Sequence, residues 1–221
     1  MSISENRQDI LSDIQNVSKA YDRNPSDIKL MAVSKVQQDE RIEEALQIGQ
    51  RLFGENRVQE AQERWAERKT IYPDLDLHLI GPLQTNKVKD AVELFTFIQT
   101  LDREKLAVAL AKEIQRQEKT NYPLFIQVNT GEETQKAGIT PKELEDFYYF
   151  STREQKLNIC GLMCIPPIDE PPALHFALLS KLSNKYSLQE LSMGMSADYT
   201  KAIPLGCTIL RVGTRFFGER I

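Results

Sequence analysis

Histidine is nearly missing from this 221-residue chain, cysteine is scarce and odd in number, and no apolar run is long. Each shortage closes off a class of function. The two histidines, His78 and His175, lie far apart, and Cys160, Cys164 and Cys207 offer no second thiolate pair to complete a tetrahedral zinc site. The cysteines read instead as small buried hydrophobes, and an odd number of them suits a reducing compartment better than a disulfide framework. Positive charge is not in excess: 28 Lys and Arg face 32 Asp and Glu, for a net charge of −4. Binding to nucleic acid through phosphate neutralisation therefore has no basic surface to work with. No stretch approaches the ~18 apolar residues that cross a bilayer, and the opening Met1–Asp13 is polar, without a signal-peptide core. The expectation is a cytoplasmic protein with no metal, no nucleic acid and no membrane among its partners. No long exposed apolar stripe stands out, so a monomer is expected.

What is there is one pattern, repeated. Hydrophobic residues at 41% and charged residues at 27% are ordinary for a chain that buries a core. Short β-branched or aromatic runs recur at Lys29–Ser34, Arg51–Gly54, Leu77–Gly81, Thr96–Thr100, Leu124–Asn129, Ile159–Ile165, Glu190–Gly194 and Thr208–Gly213. Helical patterns fill the intervals at Asp39–Gly49, Arg57–Lys69, Asn86–Leu94, Arg103–Glu118, Pro141–Thr152, Pro172–Lys185 and Ala197–Leu205. Asp102 is placed to cap the helix opening at Arg103, and Thr140 to cap one with Pro141 in its first turn. An amphipathic helix carrying Ile3, Ile10, Leu11, Ile14 and Val17 on one face precedes everything. Strands alternating with helices predict right-handed βαβ units and a parallel sheet. Eight such units make a (β/α)₈ TIM barrel of one domain, residues 1–221, with an extra N-terminal helix. An open doubly wound sheet is the runner-up, disfavoured because no Gly-x-Gly-x-x-Gly loop follows the first strand.

In such a barrel, function collects where strands end and the following loops begin. Strand 1 delivers Ser34-Lys35 there, strand 2 Gly54-Glu55-Asn56, strand 7 Gly194-Met195-Ser196 and strand 8 Gly213-Thr214. Alternation puts Met31, Val33 and Lys35 on one face. If that face points inward, desolvation makes the Lys35 amine nucleophilic; otherwise the lysine snorkels to solvent. Ile209, Arg211 and Gly213 also share a face, and an arginine inside a barrel needs an acceptor, either a carboxylate or a ligand. Backbone N–H groups near Gly213 and Thr214, with the turn at Ser196, suit an anion, and phosphate held after strands 7 and 8 recurs in this fold. A strand 1 lysine facing a phosphate site points to a phosphorylated aldehyde.

The segments AVSK (32–35), FGENRVQE (53–60), HLIGPLQTNK (78–87), QVNTGEETQKAG (127–138), GLMCIPP (161–167), LSMGMSAD (191–198) and RVGTRFFGER (211–220) resemble the YggS/PROSC-type pyridoxal 5′-phosphate (PLP) homeostasis proteins, in that family's order. The resemblance implies the barrel of alanine racemase's N-terminal part, with PLP as a Schiff base on Lys35. It also implies a phosphate held by Ser196, Gly213 and Thr214, Arg211 at the pyridine nitrogen, Asn56 and His78 along the ring, and Met163, Met193 and Met195 as wall residues. Cys207, Arg215 and Phe216 depart from the family's usual pattern and put the pocket wall in question.

Three functions stay open. An arginine at the ring nitrogen disfavours its protonation and weakens the ring as an electron sink. Racemisation needs a second acid opposite Lys35, which in racemases of this fold comes from another domain; the tyrosines Tyr148, Tyr149, Tyr186 and Tyr199 read as packing or surface residues. The favoured expectation is a non-enzymatic PLP binder in vitamin B6 and amino-acid homeostasis, with apo PLP-enzymes or amino acids as partners. The alternatives are an amino-acid racemase, or other Cα–H enzyme, and a PLP-responsive regulatory protein.

Overall fold

The computed structural model describes residues 2–219; Arg220, the last residue of the final motif above, lies outside them. Eight parallel strands close into a barrel in sequence order: β1 (Lys29–Val33), β2 (Leu52–Glu55), β3 (Asp76–Leu79), β4 (Phe97–Leu101), β5 (Pro123–Val128), β6 (Asn158–Cys164), β7 (Glu190–Ser192) and β8 (Ile209–Val212). Closure comes from β1 pairing with β8, Met31 opposite Arg211. All eight expected strands are present, with ends displaced by a residue or two. The helices are α1 (Ile3–Ala20), α2 (Asp39–Gln47), α3 (Val58–Ile71), α4 (Val88–Leu94), α5 (Glu104–Arg116), α6 (Leu144–Tyr149), α7 (Pro172–Lys185), α8 (Tyr199–Ala202) and α9 (Thr214–Phe217).

Two caps differ from expectation. Arg103 rather than Asp102 is the N-cap of α5, because the Asp102 carboxylate pairs with the Arg103 guanidinium at 2.5 Å. The helix expected from Pro141 starts at Leu144 and relaxes into a π turn over Phe150–Glu154. Glu143 holds Thr140 instead, accepting from its hydroxyl at 2.7 Å and its N–H at 3.3 Å. The first helix does carry a full cap: Ser2 Oγ accepts from the Glu5 N–H, and Glu5 Oε2 accepts from the Ser2 N–H. Its face of Ile3, Ile10 and Ile14 is buried, and Asn6 donates to the Phe216 carbonyl at 3.1 Å, fastening α1 to α9.

The core has two parts. Outward-facing strand residues and the inner helix faces make the larger one, with Phe53, Trp65, Ile98 and Leu210 fully buried in it. Met31, Val33, Ile80, Phe125, Met163 and Ile209 fill the barrel itself. Glycine serves that filling at Gly54, where a Cβ would sit 2.6 Å from the Met31 sulfur. At Gly81 a Cβ would lie 2.1 Å from the Asn56 carbonyl oxygen, so the chain after β3 can pass against the end of β2 only without a side chain.

Candidate functional site

A cavity of about 330 Å³ opens at the carboxyl ends of the strands, lined in part by Lys35, Asn56, Met195, Ser196, Arg211, Gly213 and Thr214. These are seven of the ten residues expected at the site, carried by β1, β2, β7 and β8 or the loops after them. Val33, Gln37, Ile80, Ile165 and Ala197 complete the wall; strand alternation put Val33 on the face of Lys35, but nothing local marks Gln37 or Ala197. A larger concavity of about 530 Å³ beside it shares Asn56 and holds Arg57, Gln84 and Lys87. It brings no buried polar group to a focus, so the chemistry is placed in the smaller one.

Three expected residues are elsewhere. His78 is buried inside the barrel, where its Nδ1 faces the Gln99 side chain at 2.8 Å and its Nε2 the Asp76 carboxylate at 3.0 Å. Those partners, with Phe97 stacked on the imidazole at 4.7 Å, draw the ring away from the cavity wall. Met163 and Met193 are likewise fully buried and absent from the lining, since side chains on both faces of these strands pack into core. Of the departures from pattern, Cys207 is buried with its thiol directed at the Met193 and Ile209 carbonyls. Arg215 is exposed toward Asp13, and Phe216 packs on Phe217. None of the three lines the cavity. Tyr148 and Tyr186 stack at 4.5 Å outside it, and Tyr199 donates to Asp13.

Lys35 is presented by a tightly held turn. Val36, just after it, has φ 56°, a left-handed conformation costly for a β-branched residue. The fully buried Glu55 carboxylate accepts from Ser34 Oγ at 2.8 Å, Arg64 at 2.9 Å and Trp65 Nε1 at 3.0 Å. Arg64 in turn donates to the carbonyls of Ser34 at 3.5 Å and Gln37 at 3.2 Å. The strained turn is thus gripped on both sides of Lys35.

Across the cavity, Arg211 is 4% exposed. It donates to Ser192 Oγ at 2.8 Å and the Cys164 carbonyl at 2.7 Å. Both acceptors are neutral, and no carboxylate among the described residues is within ion-pair distance of it. Burial pushes its pKa down. At the third corner, the N–H groups of Gly213 and Arg215 converge on Ser196 Oγ at 3.3 and 3.2 Å. That leaves the Ser196 hydroxyl proton to be donated into the cavity. The arrangement offers an amine, a buried cation with neutral partners and a hydroxyl donor to one small ligand.

The family model of the alanine racemase N-terminal domain matches residues 8–220. The pyridoxal phosphate homeostasis protein of Vibrio cholerae is 40% identical over 99% of this chain and 97% of its own length. That of Escherichia coli K12 is 32% identical over 99% and 97%. The chain belongs to the pyridoxal phosphate homeostasis protein family. Among solved structures, the family's PipY from Synechococcus elongatus PCC7942 superposes with a TM-score of 0.80 at 37% identity in its form without PLP, over 93% of this chain and 99% of PipY. Its PLP-bound form gives 0.77 at 36%, over 93% and 100%. Alanine racemase of Clostridium difficile shares the fold alone, with a TM-score of 0.71 at 15% identity, and this chain spans 57% of it.

Proposed function

We propose that this protein binds PLP in the 330 Å³ cavity and serves intracellular PLP and amino-acid homeostasis as a holder of the cofactor rather than as an enzyme. The observation that carries the reading is Arg211, a buried cation with neutral partners whose cavity side suits the lone pair of a pyridine nitrogen. Lys35 is the amine that would hold the aldehyde as a Schiff base. Ser196 and Thr214 would offer hydroxyl donors to the phosphate, Gly213 would hold Ser196 in place through its N–H, and Asn56 and Met195 would bound the ring. When bound, PLP supplies an electrophilic aldehyde and a ring able to withdraw electrons from an attached amino acid. Arg211 restrains the second property, because a permanent cation at the ring nitrogen disfavours a proton there. The described lining residues include no tyrosine, histidine or cysteine to act as an acid opposite Lys35. The rim residue Ile165 is 37% exposed, which suits release to an acceptor such as an apo-enzyme. The reading extends to a monomer working in the cytoplasm, where three free thiols stay reduced.

Two measurements test it. Lys35→Ala should lose the yellow absorption of the covalently held cofactor while the barrel still folds; an unchanged spectrum would remove Lys35 from its role. Loaded protein incubated with L-amino acids in heavy water should exchange Cα hydrogen no faster than free PLP does. Exchange that turns over many times and depends on Lys35 would replace the holder with a racemase-type enzyme.

A further inference from the structure

The barrel interior should be the driest part of this fold, and most of it is: Met31, Val33, Phe125, Met163 and Ile209 pack there. Through it nevertheless runs an unbroken line of polar side chains. Arg211 on β8 donates to Ser192 Oγ on β7 at 2.8 Å, and Ser192 donates to Gln99 Oε1 on β4 at 2.6 Å. The Gln99 amide nitrogen meets His78 Nδ1 on β3 at 2.8 Å, and His78 Nε2 meets Asp76 Oδ1 at 3.0 Å. Thr96 also donates to Asp76. Ser192 and Gln99 are fully buried and His78 is 3% exposed, whereas the Asp76 side chain is 46% exposed. The line therefore reaches from the cavity to the opposite face of the barrel.

Its hydrogen bonds share one polarity. Ser192 accepts from a permanent donor, so its own proton must go on to the Gln99 oxygen. The Gln99 amide then presents N–H to His78, which fixes the imidazole proton on Nε2, where Asp76 accepts it. Leucine, valine or methionine would fill the same volume without the desolvation cost of buried polar groups. Each residue in the line is accounted for by the next, and the one end that faces a ligand cavity is Arg211.

We propose that Gln99, together with Ser192 and His78, is a positioning residue for Arg211: the line fixes where the guanidinium points and thereby how tightly, and in what electronic state, the cavity holds a pyridine ring. The proposal rests on the PLP reading above and adds residues that do not line the cavity. Orientation passes along the line because Ser192 can accept from Arg211 only while its proton has the Gln99 oxygen to bond. Without that acceptor the hydroxyl turns and competes for the same direction as the arginine N–H. Proximal cuts should therefore act more strongly than distal ones.

The test is PLP titration, followed by the cofactor's absorption and by equilibrium dialysis, on wild type, Gln99→Met, Ser192→Ala, Ser192→Thr and His78→Phe, with the melting temperature of each apo form. Gln99→Met and Ser192→Ala should bind PLP about tenfold more weakly, the effect of one misplaced hydrogen bond to a charged group, and with a shifted absorption maximum. Ser192→Thr, which keeps the hydroxyl, should restore the wild-type spectrum, and His78→Phe should fall between. Ser192→Ala removes only one oxygen and keeps the test open if Gln99→Met fails to fold. Lowered melting temperatures with wild-type affinity and spectrum would make the line a purely structural network and overturn the proposal. A wild type that takes up no PLP would instead overturn the reading beneath it.

Discussion

Replacing Arg64 by methionine removes the cation from a carboxylate that has nowhere else to turn. Glu55 is fully buried, and among the described residues its Oε2 has no hydrogen-bond partner, so compensation enters through Oε1 alone. Methionine keeps much of the packing of the arginine stem but leaves only Ser34 and Trp65 as donors to that oxygen. Breaking a buried pair by deleting one partner costs about 3–5 kcal/mol, and the two remaining donors put this case near the lower end, about 3 kcal/mol. At about 2–4 °C per kcal/mol for a chain of this size, the melting temperature should fall by roughly 6–12 °C. Urea unfolding and calorimetry measure both quantities. The double variant Arg64→Met/Glu55→Gln should recover about 1–2 kcal/mol, because a neutral amide no longer requires a cation. A loss below about 1 kcal/mol, the range of an exposed ion pair, would refute the argument that Glu55 is charged and unsolvated. PLP affinity should also drop in Arg64→Met, since the carbonyls of Ser34 and Gln37 lose the donor that grips the Lys35 turn.

Other changes probe the same cavity from different sides. Gly81→Ala would place a Cβ 2.1 Å from the Asn56 oxygen and 2.6 Å from its Cα. It should cost about 1–3 kcal/mol and weaken PLP binding as Asn56 is displaced, and unchanged stability and affinity would show the close approach to be slack. Val36→Gly relieves about 1–2 kcal/mol of left-handed strain against about 0.5–1 kcal/mol of added chain entropy. A net gain of about 0.5–1 kcal/mol is expected in urea titrations, and a loss would mean that Val36 is not strained. Burial pushes the thiols of Cys164 and Cys207 up to about 12 from ordinary values near 9. Their contribution to stability is therefore complete below pH of about 9 and is lost as pH rises from there toward 12. Alkylation of the native protein at mildly alkaline pH should spare both thiols and take Cys160 first; equal labelling of all three would contradict their burial.

Much of this protein is written in local pattern. Eight β-branched runs separated by helical periodicity dictate a parallel barrel, because period-2 and period-3.6 segments in alternation can bury their apolar sides in few other ways. Alternation along β1 and β8 brought Lys35 and Arg211 to the same interior, and the polar ends of β2, β7 and β8 marked the cavity mouth. Element ends were less legible. Asp102 and Thr140 have the chemistry of caps, yet nearby Arg103 and Glu143 claimed their side chains.

Tertiary structure decided what depends on neighbours distant in the chain. Strand alternation places His78 inside the barrel, but only Gln99, 21 residues on, and the carboxylate of Asp76 determine that its ring joins a line across the core instead of the cavity wall. No periodicity announces that Arg64, on a helix outside the barrel, reaches the turn at Lys35, or that Ser192 links Arg211 to Gln99 across 93 residues. A sequence specifies which face a side chain takes through rules that act over a few residues. Which partner that side chain meets depends on strand register and barrel closure, and these exist only once all eight strands have paired.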